Sequence, residues 1–163
     1  MNTSFSLPNP TQTQAANLPI QSATWRDLKN LSRLEKQCFR KGDSWPLFEL
    51  FSLLISPTKV KLKIDYNHEM IAFLAGEHDY QKNLGWITTL CVAPTWRRMG
   101  LGFHLTAAGE TALGTATIRL TARMTNQEAI HLYQKAGYKP IGVEKRYYEG
   151  GEDGLVMEKK RST

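Results

Sequence analysis

"CVAPTWRRMGLGFHLTAAGETALG", Cys91 to Gly114, decides how this chain folds. An apolar run stops at Pro94, and Arg97 and Arg98 follow. Gly100 and Gly102 come next, and then Leu101, Leu105, Ala108 and Ala112 are spaced for one helix face that ends at Gly114. A strand therefore hands over to a helix at two cations and two residues without side chains. A helix N-terminus exposes about four unpaired N–H groups and a partial positive charge. Glycine lets a ligand approach the backbone closely, and arginine adds forked donors, so the pattern reads as a cradle for linked phosphates. Neither common nucleotide motif fits. Gly102 is followed by Phe-His-Leu where a Walker loop needs lysine, and position 105 is leucine where the dinucleotide fingerprint needs glycine. Taken alone, Gly-x-Gly is equally an ordinary strand-to-helix turn.

Working outward, "WITTLCV" (Trp86 to Val92) reads as the preceding strand and "TIRLTAR" as the following one. Thr125 and Glu128 make a Thr-x-x-Glu capping box for a helix running to Ala136 and closed by Gly137. "YKPIGVEKRYY" and "GLVMEK" are extended pieces joined through "EGGED". On the other side, Leu28, Leu31, Leu34 and Cys38 fall at helical spacing, and "RKGD" breaks that helix. Ser44 is a cap for a second helix with Pro46 in its first turn, running to Ile55. Val60, Leu62 and Ile64 alternate with lysines in a half-buried strand, and Met70 to Gly76 returns as another. The order is helix, helix, three strands, helix, strand, helix, two strands, which makes a mixed α/β sheet with helices over its faces.

At 163 residues, 41% hydrophobic and 22% charged, the chain is sized for one domain with its own core. That domain is expected over residues 21–163. Residues 1–20 are rich in Asn, Thr, Gln and Pro and carry no charge, and are expected to be disordered or loosely attached. The net charge of +6 invites an anionic partner. No basic stripe interleaved with aromatics points to nucleic acid, and no apolar run reaches the roughly 18 residues of a membrane span. The N-terminal stretch lacks the basic start and apolar core of a signal peptide. Cys38 and Cys91 sit in apolar surroundings and suggest a reducing, cytoplasmic setting rather than a disulfide framework. His68, His78, His104 and His131 have no metal-ligand spacing, so no metal is expected.

"VAPTWRRMGLG" resembles the Arg/Gln-x-x-Gly-x-Gly/Ala signature of the GNAT superfamily of N-acetyltransferases, with Arg97, Gly100 and Gly102 in the signature places. "NQEAIHLYQKAGY" is similar to the superfamily's Asn-x-x-Ala-x-x-Leu-Tyr-x-x-x-Gly-Phe segment. "YYEGGEDGLVMEK" resembles the ending of the ribosomal-protein (RimI-like) N-terminal acetyltransferases, with Tyr147, Tyr148, Glu152, Asp153 and Met157 in the matching places. The likeness covers Trp86 to Met157. It implies a mixed, mostly antiparallel sheet of six or seven strands with helices on both faces, splayed at the cofactor site. It implies acetyl-CoA as cofactor, a direct attack by a primary amine, and a protein or peptide N-terminus as acceptor, among which a ribosomal protein is included.

By the same resemblance, Leu90, Cys91 and Val92 offer backbone to the pantetheine arm. Arg97, Arg98, Met99, Gly100, Leu101, Gly102 and Phe103 form the pyrophosphate loop, with Arg98 expected nearer the phosphates. Asn126 contacts the cofactor, although asparagine is also simply a good cap. Tyr133 protonates the departing thiolate, although it also shares a packing face with Ala129, Ile130 and Ala136. Tyr147 and Tyr148 line the acceptor groove with Phe39 and Asp43 of "FRKGDSW", whose basic residues would favour acidic residues early in the acceptor peptide. One departure stands out: where the ribosomal-protein enzymes carry a glutamate base, this chain has Thr121. An α-amine of pKa about 8 needs a base less than a lysine of pKa about 10.4. Asp43, His131 and Glu77 are the alternatives that would act through water. A small-molecule or lysine acetyltransferase on the same scaffold, and an acyl-CoA-binding module without turnover, remain the competing readings. The oligomeric expectation is monomer or dimer.

Overall fold

The computed structural model describes residues 11–40 and 42–161. The elements run α1 (Gln12–Ala16), β1 (Gln21–Ser22), α2 (Leu28–Cys38), α3 (Leu47–Ile55), β2 (Val60–Tyr66), β3 (Glu69–Asp79), β4 (Leu84–Val92), α4 (Leu101–Leu113), β5 (Thr117–Arg123), α5 (Gln127–Lys135), β6 (Lys139–Glu144) and β7 (Gly154–Lys160). Among the described residues seven strands form one sheet in the order β1-β2-β3-β4-β5-β7-β6. Every neighbouring pair is antiparallel except β4 and β5. This is the expected mixed, mostly antiparallel α/β sheet. Of the expected N-terminal tail, residues 1–10 lie outside the described residues, while Gln12–Ala16 is helical with Ala15 buried. No described helix is long and apolar enough to cross a membrane.

In β3, burial is continuous from Met70 to Gly76, so that strand is covered on both faces. Leu31 and Leu34 of α2, Leu50, Leu53 and Leu54 of α3, and Leu101, Leu105 and Leu113 of α4 join it in one core. Each set recurs at three- or four-residue spacing, which is why these segments are helices with one apolar face. Gly109 brings α4 close to the sheet, since a Cβ there would stand 2.8 Å from Leu74 Cδ2.

The feature that shapes the site lies in β4. Ala75 pairs with Thr89 but Gly76 pairs with Ile87, so Thr88 is an extra residue, a bulge. Pairing of β4 with β5 ends at the same place, Ile87 opposite Leu120. Beyond it, Thr89 to Val92 are paired with β3 alone and Thr121 to Arg123 with β7 alone. The sheet is splayed there, as the family resemblance implies. Gly76, opposite the bulge, is required by crowding, because a Cβ would lie 2.9 Å from the Trp86 carbonyl oxygen.

Three local expectations need correction. The helix after "RKGD" has Pro46 as its N-cap, with an extended ψ of 148°, rather than Ser44. The Thr125–Glu128 box does not form; Asn126 caps α5 and Thr125 turns elsewhere. Tyr147 and Tyr148 lie in the connection after β6, following a left-handed Arg146 (φ 53°), not in a strand.

Glu35, 1% exposed on α2, holds the α2–α3 connection: its Oε2 accepts the Trp45 N–H at 2.8 Å while Oε1 has no partner. Burial raises its carboxyl from 4.5 to about 7. Between those values the unfolded chain ionises Glu35 and the folded chain keeps it protonated, so stability falls as pH rises through that window, by at most about 3 kcal/mol, and is flat above it. Glu35→Gln keeps an acceptor for Trp45 but cannot titrate. Thermal melts should therefore show the variant gaining on the wild type from pH 4.5 to pH 8; parallel melting curves would remove the assignment.

Candidate functional site

The parted strands open a cleft of about 1180 Å³. One wall is Thr88 to Val92 of β4, and the other is Leu120 to Arg123 of β5. Residues at the N-terminal ends of α4 and α5 and the α2–α3 connection complete it. The chain thus presents one strand edge without a sheet partner, facing open space wide enough for an extended ligand.

At the α4 end, Arg97, Arg98 and the first residues of the helix line the cleft. A turn at Pro94–Trp96 follows β4, anchored by buried Trp96, whose ring centroid lies 4.8 Å from that of Tyr66. Arg97 Nε donates to the Val92 carbonyl at 3.2 Å, so this arginine steadies the strand end. Arg98 has a left-handed φ of 63° and no ion pair among the described residues. Gly100 caps α4 with φ 85° and no side-chain acceptor, leaving the first N–H groups of the helix without a cap. Gly102 is required for another reason: a Cβ there would meet Leu132 Cδ1 at 2.7 Å, so it admits α5 against α4.

Tyr133 on α5 is 7% exposed and lines the cleft, and its hydroxyl has no hydrogen bond among the described residues. Burial pushes its phenol well above the ordinary 10, with Tyr148 and Cys91 adding to the effect. It therefore keeps its proton at neutral pH. Asn126 Oδ1 accepts the Ala129 N–H at 3.1 Å, which makes it a cap, and it also lines the cleft.

The far wall is aromatic. Tyr147 and Tyr148 meet edge to face at 4.9 Å, and Phe39 and Trp45 stand on the same cleft. The Tyr148 hydroxyl donates to the Thr121 carbonyl at 2.9 Å, and burial raises its phenol too. Gly154 makes this packing possible, since a Cβ there would lie 2.5 Å from Thr121 Cγ2 and 3.1 Å from the Tyr147 ring.

Arg123 at the end of β5 organises this wall. Its guanidinium is 4.3 Å from the Tyr148 ring centroid and pairs with Asp43 and, at 2.5 Å, with Glu152. Glu152 Oε1 accepts both the Thr125 hydroxyl (2.6 Å) and its N–H (3.0 Å). These two bonds, with Arg123, hold the Glu152 carboxyl down at about 2. They also explain the missing capping box: a residue 27 positions away has taken Thr125.

Every residue read from the sequence as contacting the cofactor or the acceptor lines this cleft except Met99, whose side chain packs on the core. Of the three suggested bases, Asp43 is paired with Arg123, Glu77 with Lys59 at 2.9 Å, and His131 is bonded to the Gln127 carbonyl, off the cleft wall. Glu128 lies exposed on the cleft rim. Arg123 and Gly154 were missed, whereas Trp45 closes the "FRKGDSW" loop that was expected on the acceptor groove and does line it. The alternation of "TIRLTAR" carried a signal for Arg123, because Arg119, Thr121 and Arg123 share the half-exposed face of β5.

Several known proteins are similar to this chain. The sequence profile of the acetyltransferase (GNAT) family matches residues 25–138. The catalytic subunit of the N-terminal acetyltransferase A complex from Arabidopsis thaliana is 29% identical over 147 residues, covering 86% of this chain and 76% of that protein. An N-alpha-acetyltransferase from Sulfurisphaera tokodaii is 34% identical over 77 residues, 45% of this chain and 46% of its own length. Of solved structures, the ribosomal-protein-S18-alanine N-acetyltransferase from Escherichia coli has a TM-score of 0.78 at 24% identity, covering 89% of this chain and 94% of that one. That likeness is one of fold.

Arg123→Leu leaves Asp43 and Glu152 facing each other without their cation. Urea unfolding should show a loss of about 2–3 kcal/mol. A loss below about 0.5 kcal/mol would reduce the network to a surface arrangement.

Proposed function

We propose a substrate and a division of labour for this chain on the premise that it belongs to the acetyltransferase (GNAT) family, as the match of residues 25–138 establishes: it acetylates the N-terminal α-amine of a protein. The observation that carries this reading is the cleft itself, with an unpaired strand edge on one side, an uncapped helix N-terminus at one end and a wall of tyrosines opposite. Acetyl-CoA, when bound, would supply the acetyl thioester.

Arg98 and the first N–H groups of α4, at Leu101 to Phe103, would hold the diphosphate; Gly100 supports this by leaving the approach open. Leu90, Cys91 and Val92 would meet the amides of the pantetheine arm as an added strand. A backbone N–H of the same edge would polarise the acetyl carbonyl. Asn126, beyond its capping bond, would use its free amide N–H₂ toward the same ligand. Tyr133 would hold its proton until the thiolate forms and then donate it; a phenol is a weaker acid than a thiol, so this transfer is uphill and depends on the hydroxyl being placed beside the departing sulfur. Burial among apolar groups, the cause of its raised pKa, is what keeps that phenol neutral.

The acceptor would enter against Tyr147, Tyr148 and Phe39, with Asp43 held at the wall by Arg123. No unpaired carboxylate lines the interior among the described residues; Asp43 and Glu77 are both engaged and Glu128 is at the rim. An α-amine of pKa about 8 is partly neutral near pH 7 and needs no strong base, whereas a lysine of pKa about 10.4 does. The names of the Arabidopsis and Sulfurisphaera relatives support the same choice. Ribosomal proteins belong among the candidate acceptors, and Arg40 on the cleft favours acidic residues after the first. A reducing, cytoplasmic compartment suits the two free thiols.

A free-thiol assay over a peptide panel tests this. Peptides with a free α-amine should turn over, while N-blocked lysine peptides, polyamines and aminoglycosides should not; the opposite ranking would overturn the substrate class. Arg98→Glu should weaken acetyl-CoA binding at least tenfold by calorimetry, and unchanged affinity would remove Arg98 from the cradle. Tyr133→Phe should lower kcat at least tenfold with cofactor affinity unchanged; normal turnover would return Tyr133 to a packing role.

A further inference from the structure

The two cysteines were read from sequence as lying in apolar surroundings without a disulfide framework, but the fold places both on the cleft. Cys38 is the last residue of α2 and is half-buried; Cys91 is on β4 and 3% exposed. Both line the cleft wall. Cys38 Sγ donates to the Val92 carbonyl at 3.3 Å, the same oxygen that accepts Arg97 Nε. The Cys38 thiol therefore lies beside a guanidinium, at the end of the strand that carries Cys91. Cys38 packs against the core cluster that contains Cys91, and each thiol shifts the titration of the other.

We propose that Cys38 and Cys91 form a reversible thiol–disulfide pair that hydroperoxides oxidise, and that the bond switches the cleft between open and impaired ligand binding. The first sulfur is the one an oxidant can reach. Cys38 meets the cleft, and its pKa is lowered by its hydrogen bond with Cys91 and by Arg97, against the opposing pull of burial and Glu35. Cys91, fully enclosed and pushed the other way, is the resolving thiol. In the first step the Cys38 thiolate attacks one oxygen of the hydroperoxide, breaking the O–O bond to give Cys38 sulfenic acid and water or an alcohol. In the second, the Cys91 sulfur attacks the Cys38 sulfur and expels water. The two thiols are oxidised by two electrons and the peroxide is reduced by two.

The link matters because of where it falls. Closing it takes Cys38 Sγ away from the Val92 carbonyl and ties α2 to Cys91, in the middle of the unpaired β4 edge. An amide chain laid along that edge would meet an altered strand. The effect on ligand rests on the acetyl-CoA reading above; the disulfide itself does not.

The test treats the purified full chain with a small molar excess of hydrogen peroxide. Intact mass should fall by two hydrogens, peptide mapping should join Cys38 to Cys91, and dithiothreitol should reverse both. Cys91→Ala should stop at a Cys38 sulfenic acid that dimedone traps, and Cys38→Ser should leave Cys91 unreacted. The oxidised wild type should bind acetyl-CoA, whose own sulfur is blocked, at least tenfold more weakly than the reduced form. Two free thiols after oxidation, or disulfides only between separate chains, would overturn the proposal, and an intramolecular bond with unchanged affinity would overturn the switch. If the reduced protein also fails to bind acetyl-CoA, the functional reading fails while the mapped disulfide still decides the redox chemistry.

Discussion

One extra residue in one strand governs this molecule. Thr88 bulges out of the β3–β4 ladder, and β4 bends away from β5 at that point. A bulge increases local twist and ends regular pairing, and here it converts the centre of a sheet into two walls. Backbone groups in the middle of a sheet are normally satisfied by neighbouring strands. Parting the strands leaves a row of them facing a cleft, and an extended ligand with amides can complete the row. The cost of an open sheet is offset by the continuous burial of β3 and the leucines of three helices around it.

Several positions tolerate no side chain for this arrangement to close. Gly76 lies opposite the bulge, Gly102 admits α5 against α4, and Gly154 leaves room for Thr121 and Tyr147. Gly100, by contrast, is called for by its left-handed conformation at the helix start. The glycines thus serve two physically different ends, close approach of neighbours and backbone conformation, although in sequence they look alike.

Charge then fastens the loops that packing leaves loose. Arg123 draws the α2–α3 connection, the segment after β6 and the start of α5 onto the end of β5 through Asp43, Glu152 and Thr125. The same guanidinium lies against the Tyr148 ring. The aromatic wall is therefore held by a cation with two carboxylates, while the buried phenols of Tyr133 and Tyr148 stay protonated in the low-dielectric interior. Neutral donors and engaged carboxylates leave a cleft whose chemistry depends on positioning more than on a strong base.

Periodicity alone established that "CVAPTWRRMGLG" joins a strand to a helix, and it placed nearly every helix and strand, because hydrophobic spacing is a local property. The glycine-led, uncapped helix start at Arg97 to Gly102 was equally legible, since its physics lies in consecutive backbone and side chains. Local signals failed where a distant partner outcompeted a near one. Thr125 bonds Glu152 instead of capping α5, and Asp43, offered as a base, is bound to Arg123. The tyrosine pair sits in a turn because Gly154 and Thr121 pack beneath it. The meeting of Cys38 with Cys91, 53 positions apart, was also invisible in sequence. Which side chains face one another across a parted sheet is a matter of register and packing, and those arise only when the whole chain has closed on its core.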